Sequence, residues 1–325
     1  MNRLRSFENS KILVSGGAGF IGSNFVRTHD GNKTFKKIYV LDSFSYAADI
    51  KRLTGLSSTV EIINASLSDT EKYISVLKDC NYVVNMAAES HVDRSITNGF
   101  PFIYSNIVGS FALFEACRHL QNISLIHVST DEVYGSTNYG EFTELDSLSP
   151  TSIYSSSKAA SDLLAMANFR THQQKLVITR CTNNFGPYQN SEKFIPTVIN
   201  NCILGKPIPI YGDGSNQREW IHVSDHNSAL LAILNNFEPG NIYNIGSGVT
   251  ISNLDLANQI IKLTGASENL IKFVEDRKGH DFRYALNSSK IRETLGWQSE
   301  HNFDVSLSQT VNWYQNWFNA RGMVY

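Results

Sequence analysis

Short, β-branched and mostly apolar runs recur through the first 180 residues, at 12–14, 37–42, 60–65, 82–87, 124–130 and 175–180. Between them lie stretches of helical length and pattern, notably 70–78, 103–119 and 156–169. The first kind fits strands and the second amphipathic helices, since side chains alternate with period two in a strand and recur near 3.6 in a helix. Their alternation predicts an α/β architecture, a doubly wound parallel sheet covered by helices on both faces. Ligands of such sheets collect at the carboxyl ends of the strands, so the residues ending these runs are the first candidates for chemistry.

Beyond residue 180 the alternation loosens. Segments rich in Gly, Pro and Asn, at 183–189 and 211–218, interrupt shorter elements. They predict a smaller lobe built from loops over the open edge of the sheet. The expected division is a sheet domain over 1–180, rejoined by 219–234, and a smaller C-terminal lobe over 181–325.

Composition narrows the class. With 325 residues, 42% hydrophobic and 18% charged, the chain has the make-up of a globular protein with a sizeable core. A formal net charge of −2 gives no overall attraction to nucleic acid or to an anionic membrane. No run reaches the roughly 18 apolar residues of a membrane span, and residues 1–10 lack the apolar centre of a signal peptide, so a cytoplasmic location is expected. Cysteines 80, 117, 181 and 202 stand far apart with no C-x-x-C pair, and neither His91 nor His280 carries ligand spacing; no metal site is expected.

The run at 12–14 ends in Ser15-Gly16-Gly17-Ala18-Gly19-Phe20-Ile21-Gly22, the order strand, tight turn, helix. Glycines at 17, 19 and 22 fit G-x-G-x-x-G, and those at 16, 19 and 22 fit the G-x-x-G-x-x-G variant. Such a turn lets the main chain approach a pyrophosphate at the positive end of the new helix. Alone it is equally an ordinary strand-to-helix turn. Asp42, twenty residues beyond Gly22 at the end of the next strand, supplies context: a dinucleotide fold has its ribose-binding carboxylate there, which favours NAD over a 2′-phosphorylated cofactor. The sheet domain then reads as an NAD-binding, Rossmann-type domain and the smaller lobe as the substrate side.

Tyr154 and Lys158 are spaced i, i+4 after Ser149-Pro150-Thr151-Ser152. On a helix they share a face, so phenol and ammonium meet the same ligand, and the cation favours phenolate. With the glycine turn and Asp42, the chain resembles the extended short-chain dehydrogenase/reductase family. The resemblance narrows at Val128-Ser129-Thr130-Asp131-Glu132-Val133-Tyr134-Gly135, where the acidic pair marks the nucleotide-sugar 4,6-dehydratases, and it is closest to those acting on dTDP-glucose. The stretches 87–95, 180–189, 192–193, 212–218 and 276–281 agree.

The resemblance implies a homodimer, joined through the helices near 103–119 and 154–169, and a cycle of oxidation, elimination and reduction on a bound nucleotide sugar. It assigns Tyr154 to the proton of the sugar 4-hydroxyl, Lys158 to lowering the tyrosine pKa and binding the nicotinamide ribose, and Thr130 to the 4-oxygen. Glu132 would remove the C5 proton while a protonated Asp131 donates to the departing C6 hydroxyl. Adjacent side chains on extended backbone point apart, so both acids reach one substrate only if the strand ends in a turn at this point.

By the same resemblance, NAD would contact Gly16, Gly19, Phe20, Ile21, Gly22, Asp42, Ser43, Phe44, Ser45, Ser66, Leu67, Met86, Ala87, Ala88, Glu89, Ser105 and Asn184, with Tyr154 and Lys158. The nucleotide sugar would meet Ser90, Thr130, Asn183, Lys193, Phe194, Pro209, Tyr211, Arg218, Asn253, Asp276, Arg277 and His280. Three departures from the family's pattern stand out: Ser66 where an acid near the adenine is common, Ser43-Phe44-Ser45 after Asp42, and Ile153 where proline usually precedes the tyrosine. They leave open another NDP-hexose, such as UDP-glucose, and a sister epimerase or decarboxylating enzyme. A reading from another class, an NAD-sensing regulator, is disfavoured by the presence of both Tyr154 and Lys158.

Overall fold

The computed structural model describes residues 7–120 and 122–320. In the first part of the chain, strands β1 (Lys11–Ser15), β2 (Lys37–Asp42), β3 (Val60–Asn64), β4 (Tyr82–Asn85), β5 (Ser124–Thr130) and β6 (Leu176–Cys181) alternate with helices α1 (Phe20–Gly31), α2 (Thr70–Leu77), α3 (Val92–Thr97), α4 (Phe100–Phe102), α5 (Ser110–Leu120) and α6 (Ile153–His172). After β7 (Asn183–Phe185) come α7 (Phe194–Leu204), β8 (Ile208–Tyr211), β9 (Gln217–His222), α8 (Val223–Asn235), β10 (Ile242–Ile245), β11 (Thr250–Ser252), α9 (Asn253–Thr264), β12 (Ile271–Val274), α10 (Ser289–Leu295) and α11 (Phe303–Ala320).

Seven strands form one sheet in the order β10-β6-β5-β4-β1-β2-β3, and every pairing is parallel. Alternation along the strands sorts the core into two layers. Ile12, Val14, Ile38 and Val40 face a cluster shared with Phe25 and Val26 of α1 and with Leu230 and Ile233 of α8. Leu13, Tyr39 and Leu41 face the other, with Tyr73 of α2, Phe114 of α5 and Ala165 of α6. Each central strand is thus apolar on both faces, as a sheet covered by helices on both sides requires.

The lobe division expected from sequence needs redrawing. Within 219–234, residues 219–222 belong to β9, which pairs with β7 and β11 in the smaller lobe, whereas α8 packs on the main sheet. Ile242–Ile245, expected in the smaller lobe, forms the seventh strand of the main sheet, and Ile291 and Trp297 join its core. Hydrophobic pattern alone assigns a strand no partner. The smaller lobe has its own core, where α7, α9 and α11 meet Phe185, Ile208, Ile210 and Trp220.

The helix expected over 103–119 is irregular. Ile103–Gly109 is wound as a π-helix between α4 and α5. The combined run 100–120 is also long and apolar enough, by length and composition, to cross a membrane. Its residues Phe102, Leu113, Phe114, Ala116 and Cys117 are instead buried within the protein.

Candidate active site

The glycine turn is shaped by contacts that a side chain would break. Gly16 has φ +68°, and a Cβ there would stand 2.7 Å from the Ala87 nitrogen. A Cβ on Gly22 would lie 2.3 Å from the Gly16 carbonyl oxygen. Helix α1 starts without a capping side chain and without an acid in its first turn, so its opening amides are left to an anion. Asp42 ends β2 buried, its carboxylate accepting from the Ala18 nitrogen at 2.9 Å and the Phe44 nitrogen at 2.8 Å. Carboxylate oxygens have further lone pairs for ribose hydroxyls. The turn and this acid fit a dinucleotide.

Two adjoining cavities of about 230 Å³ each open at the carboxyl ends of the strands and share Gly16, Gly19, Ala47, Met86 and Ala88. The first is lined by Phe20, Ile21, Gly22, Ser90, Thr130, Asp131, Glu132, Tyr154, Lys158, Asn183, Asn184 and Lys193 among the expected residues. The second, between the ends of β2, β3 and β4, is lined by Asp42, Ser43, Ser45, Ser66, Leu67, Ala87, Glu89 and Ser105. Phe44 lines neither; at φ +51° it packs on the core beneath the loop.

Strand β5 ends where the chemistry needs it to. Thr130 caps a single 3₁₀ turn, Asp131–Tyr134, which swings Asp131 and Glu132 off the strand's alternation and lets both line one cavity. Thr130 Oγ1 donates to Asp131 Oδ1 at 3.1 Å, and Asp131 Oδ2 is buried with no hydrogen-bond partner among the described residues. Burial, then the charges of Glu132 and Glu219, push the Asp131 carboxyl well above the usual range. Burial also raises Glu132, but Arg218, Arg277 and Lys193 pull it back. Two neighbouring acids are thereby set apart, one held protonated and one nearer to ionisation.

Helix α6 opens with a capping box in which Ser152 and Ser155 satisfy each other's backbone amides. One turn separates buried Tyr154 from buried Lys158, whose ammonium donates to the Val128 carbonyl at 2.8 Å. Burial draws Lys158 down to about 8. The protein's own groups push Tyr154 up rather than down, through burial first and then Glu132, opposed by a hydrogen bond with Thr130. The expected lowering of the tyrosine pKa by Lys158 does not arise from the protein alone.

The remaining substrate candidates lie outside both cavities, on the smaller lobe. Buried Arg218 spends its guanidinium on the carbonyls of Gln217, Asp281 and Phe282, with the Tyr284 ring 4.4 Å from its centre. Arg277 reaches Asp93 of the main domain at 3.4 Å, and His280 holds Asp276 at 2.7 Å. Tyr211 stands edge-on to His280. Phe194 packs on the lobe's core, Pro209 is an exposed residue of β8, and Asn253 opens α9 behind the Ser252 cap. Sequence reasoning missed Ala47, Gln189, Asn190 and Glu192, which line the first cavity. Glu192 lies 3.5 Å from Arg94 and 3.8 Å from His91. The polar run after Gly186-Pro187-Tyr188 was the available signal.

Comparison with known proteins agrees with this geometry. A family model described as GDP-mannose 4,6 dehydratase matches residues 13–310. The dTDP-glucose 4,6-dehydratase of Streptomyces niveus is 41% identical over 313 residues, covering 94% of this chain and 93% of that one. The low-salt glycan biosynthesis protein Agl12 of Haloferax volcanii is 43% identical over 305 residues, covering 93% and 98%. Among solved structures, DesIV, a dTDP-glucose 4,6-dehydratase from Streptomyces venezuelae with NAD bound, superposes with a TM-score of 0.92 at 39% identity, covering 95% and 98%.

Proposed function

The chain belongs to the GDP-mannose 4,6 dehydratase family, and from that premise we propose that it is an NAD-dependent dTDP-glucose 4,6-dehydratase. It converts dTDP-D-glucose to dTDP-4-keto-6-deoxy-D-glucose and water. The observation that carries the reading is the acid pair Asp131 and Glu132, turned into the same cavity as Tyr154 and Lys158. Inversion at C4 alone has no use for two such acids; elimination of water needs both an acid and a base.

The glycine turn would hold the pyrophosphate, Asp42 the adenosine ribose, and Tyr154 and Lys158 the nicotinamide end. When bound, NAD supplies a hydride acceptor for C4, the same hydride for C6, and a positive charge that favours the Tyr154 phenolate. Tyr154 takes the 4-hydroxyl proton, and Thr130 steadies that oxygen. The 4-ketone acidifies C5–H, whose proton passes to Glu132, and Asp131 gives its proton to the C6 hydroxyl, which leaves as water. Glu132 then returns its proton to C5, and the proton gained by Tyr154 resets Asp131 between turnovers. The raised pKa values support this division, since a group kept protonated can donate and a carboxylate raised toward neutrality is the stronger base.

The reading includes a cytoplasmic homodimer joined through 100–120 and α6. Support comes from the side chains left exposed there, with Phe100 75%, Tyr104 67% and Leu163 63% accessible. The deciding experiment is incubation with dTDP-glucose and with UDP-glucose. A 4-keto-6-deoxy product lighter by one water from dTDP-glucose is expected; preference for UDP-glucose reassigns the base, and a product inverted only at C4 overturns dehydration.

A further inference from the structure

Helix α6 carries a buried acid on the face of Tyr154 and Lys158. Asp162 follows Lys158 by one turn and is 1% exposed. Its Oδ2 accepts from the Arg180 Nε at 3.0 Å, while Oδ1 is buried without a hydrogen-bond partner among the described residues. Arg180 in turn donates to the Tyr134 hydroxyl at 2.8 Å, which donates to Asn244 of β10 at 2.8 Å. A carboxylate this deep could serve as a plain anchor for Arg180.

The charges around Lys158 argue for more. On β5, His127 is wholly buried and held neutral by burial, its ring nitrogens meeting Asn85 and Ser161. On β6, the Cys181 thiol is pushed up to about 12 and carries no charge. Arg180, also on β6, is a second buried cation. Asp131 and Glu132 act on Tyr154. The acid whose charge acts on Lys158 is Asp162, and it opposes the burial that lowers the lysine; burial raises Asp162 itself, and the Arg180 and Lys158 charges oppose that rise.

Building on the reading that Tyr154 and Lys158 oxidise the sugar, we infer that Asp162 is a positioning residue that, one helical turn from Lys158, keeps its ammonium charged. It touches no substrate and acts through Lys158. With its charge removed, Lys158 and Arg180 become two buried cations with no carboxylate between them. Side chains one helical turn apart have Cβ atoms about 6 Å from each other, and at an effective dielectric near 20 the lost attraction lowers the lysine pKa by about one to two units.

The test is the pH profile of kcat for the NAD-loaded protein on dTDP-glucose, in wild type, Asp162→Asn and Asp162→Glu. The Asn variant is expected to lose its alkaline limb about one to two pH units earlier, costing roughly 5- to 50-fold in turnover near pH 8. The Glu variant restores part of it. A purely structural carboxylate would lower stability or scale kcat evenly, leaving the limb in place; an unmoved limb overturns the inference. Should Asp162→Asn not fold, the double variant Asp162→Asn with Arg180→Gln is compared with Arg180→Gln alone, so that the Arg180 charge is absent from both. The limb is expected lower in the double variant, and equal limbs overturn the inference. Lys158→Met separates the two claims: full turnover in that variant sinks the underlying reading, whereas a dead Lys158→Met beside an unmoved Asp162→Asn sinks this inference alone.

Discussion

Two glycines of α1 should respond to the same substitution with opposite signs. In Gly22→Ala the new methyl meets only backbone: the Gly16 carbonyl oxygen at 2.3 Å, Gly17 Cα at 2.8 Å and the Gly16 carbonyl carbon at 2.9 Å. No side chain can swing aside, so the turn or the start of the helix must move by about 1 Å, an overpacking that costs about 1–3 kcal/mol. That displacement falls on the amides proposed to receive the pyrophosphate. At about 1.4 kcal/mol per tenfold, NAD affinity should drop roughly 5- to 150-fold. Gly31, the last residue of the same helix, has nothing within 4 Å of its would-be Cβ. There, Ala restricts the unfolded chain and should stabilise by a few tenths to about 1 kcal/mol with NAD binding unchanged. Calorimetric titration of NAD into cofactor-free protein, with urea unfolding of both variants, reads the two effects. Wild-type NAD affinity in Gly22→Ala would refute the role given to the turn.

Glu132→Gln should slow turnover by roughly 10²- to 10⁴-fold while still accumulating the reduced cofactor that marks C4 oxidation, whereas Tyr154→Phe accumulates none; quenched-flow analysis separates the two. Asp131 has its folded-state pKa raised, so stability is highest below the ordinary carboxyl range, falls as pH rises from there to the raised value, and stays at its lowered level above it. Asp131→Asn should therefore melt above wild type on the alkaline side, with the gap closing as pH falls, while losing elimination. Thermal scans across pH check this, and a gap that widens toward acid contradicts it. Leu163→Glu puts a charge into the exposed apolar face of α6 and should yield monomers at micromolar concentration by sedimentation, whereas an unshifted dimer removes α6 from the interface.

Much of this was legible in the chain. The central strands of the main sheet announce themselves because they are apolar on both faces, and the spacing of Tyr154 and Lys158 holds on α6 because Ser152 and Ser155 start that helix in register. What escaped has tertiary causes. The turn after Thr130 could be required by chemistry but not deduced, since a capping threonine and a strand threonine look alike until the following amide bonds to it. The π-wound segment depends on packing across α6, and Ile242–Ile245 reads like any short apolar run until β6 offers its edge. Arg218 and Arg277 were expected to meet the nucleotide sugar. Their partners in the fold, backbone carbonyls such as that of Asp281 for one and Asp93 for the other, are remote in sequence.

The return of β10 to the main sheet has a consequence for how the protein is made. During vectorial synthesis, β6 has an open edge until residues 182–245 have been added, an interval of roughly 3 to 13 s at about 5–20 residues/s. Through that time an apolar strand, Leu176–Cys181, offers unpaired backbone groups to any neighbouring chain. No single cut between lobes can yield two independently folding halves, because the segment that seals the main sheet is threaded behind part of the smaller lobe. Splitting or permuting this protein should therefore begin by keeping residues 242–245 with the first 181.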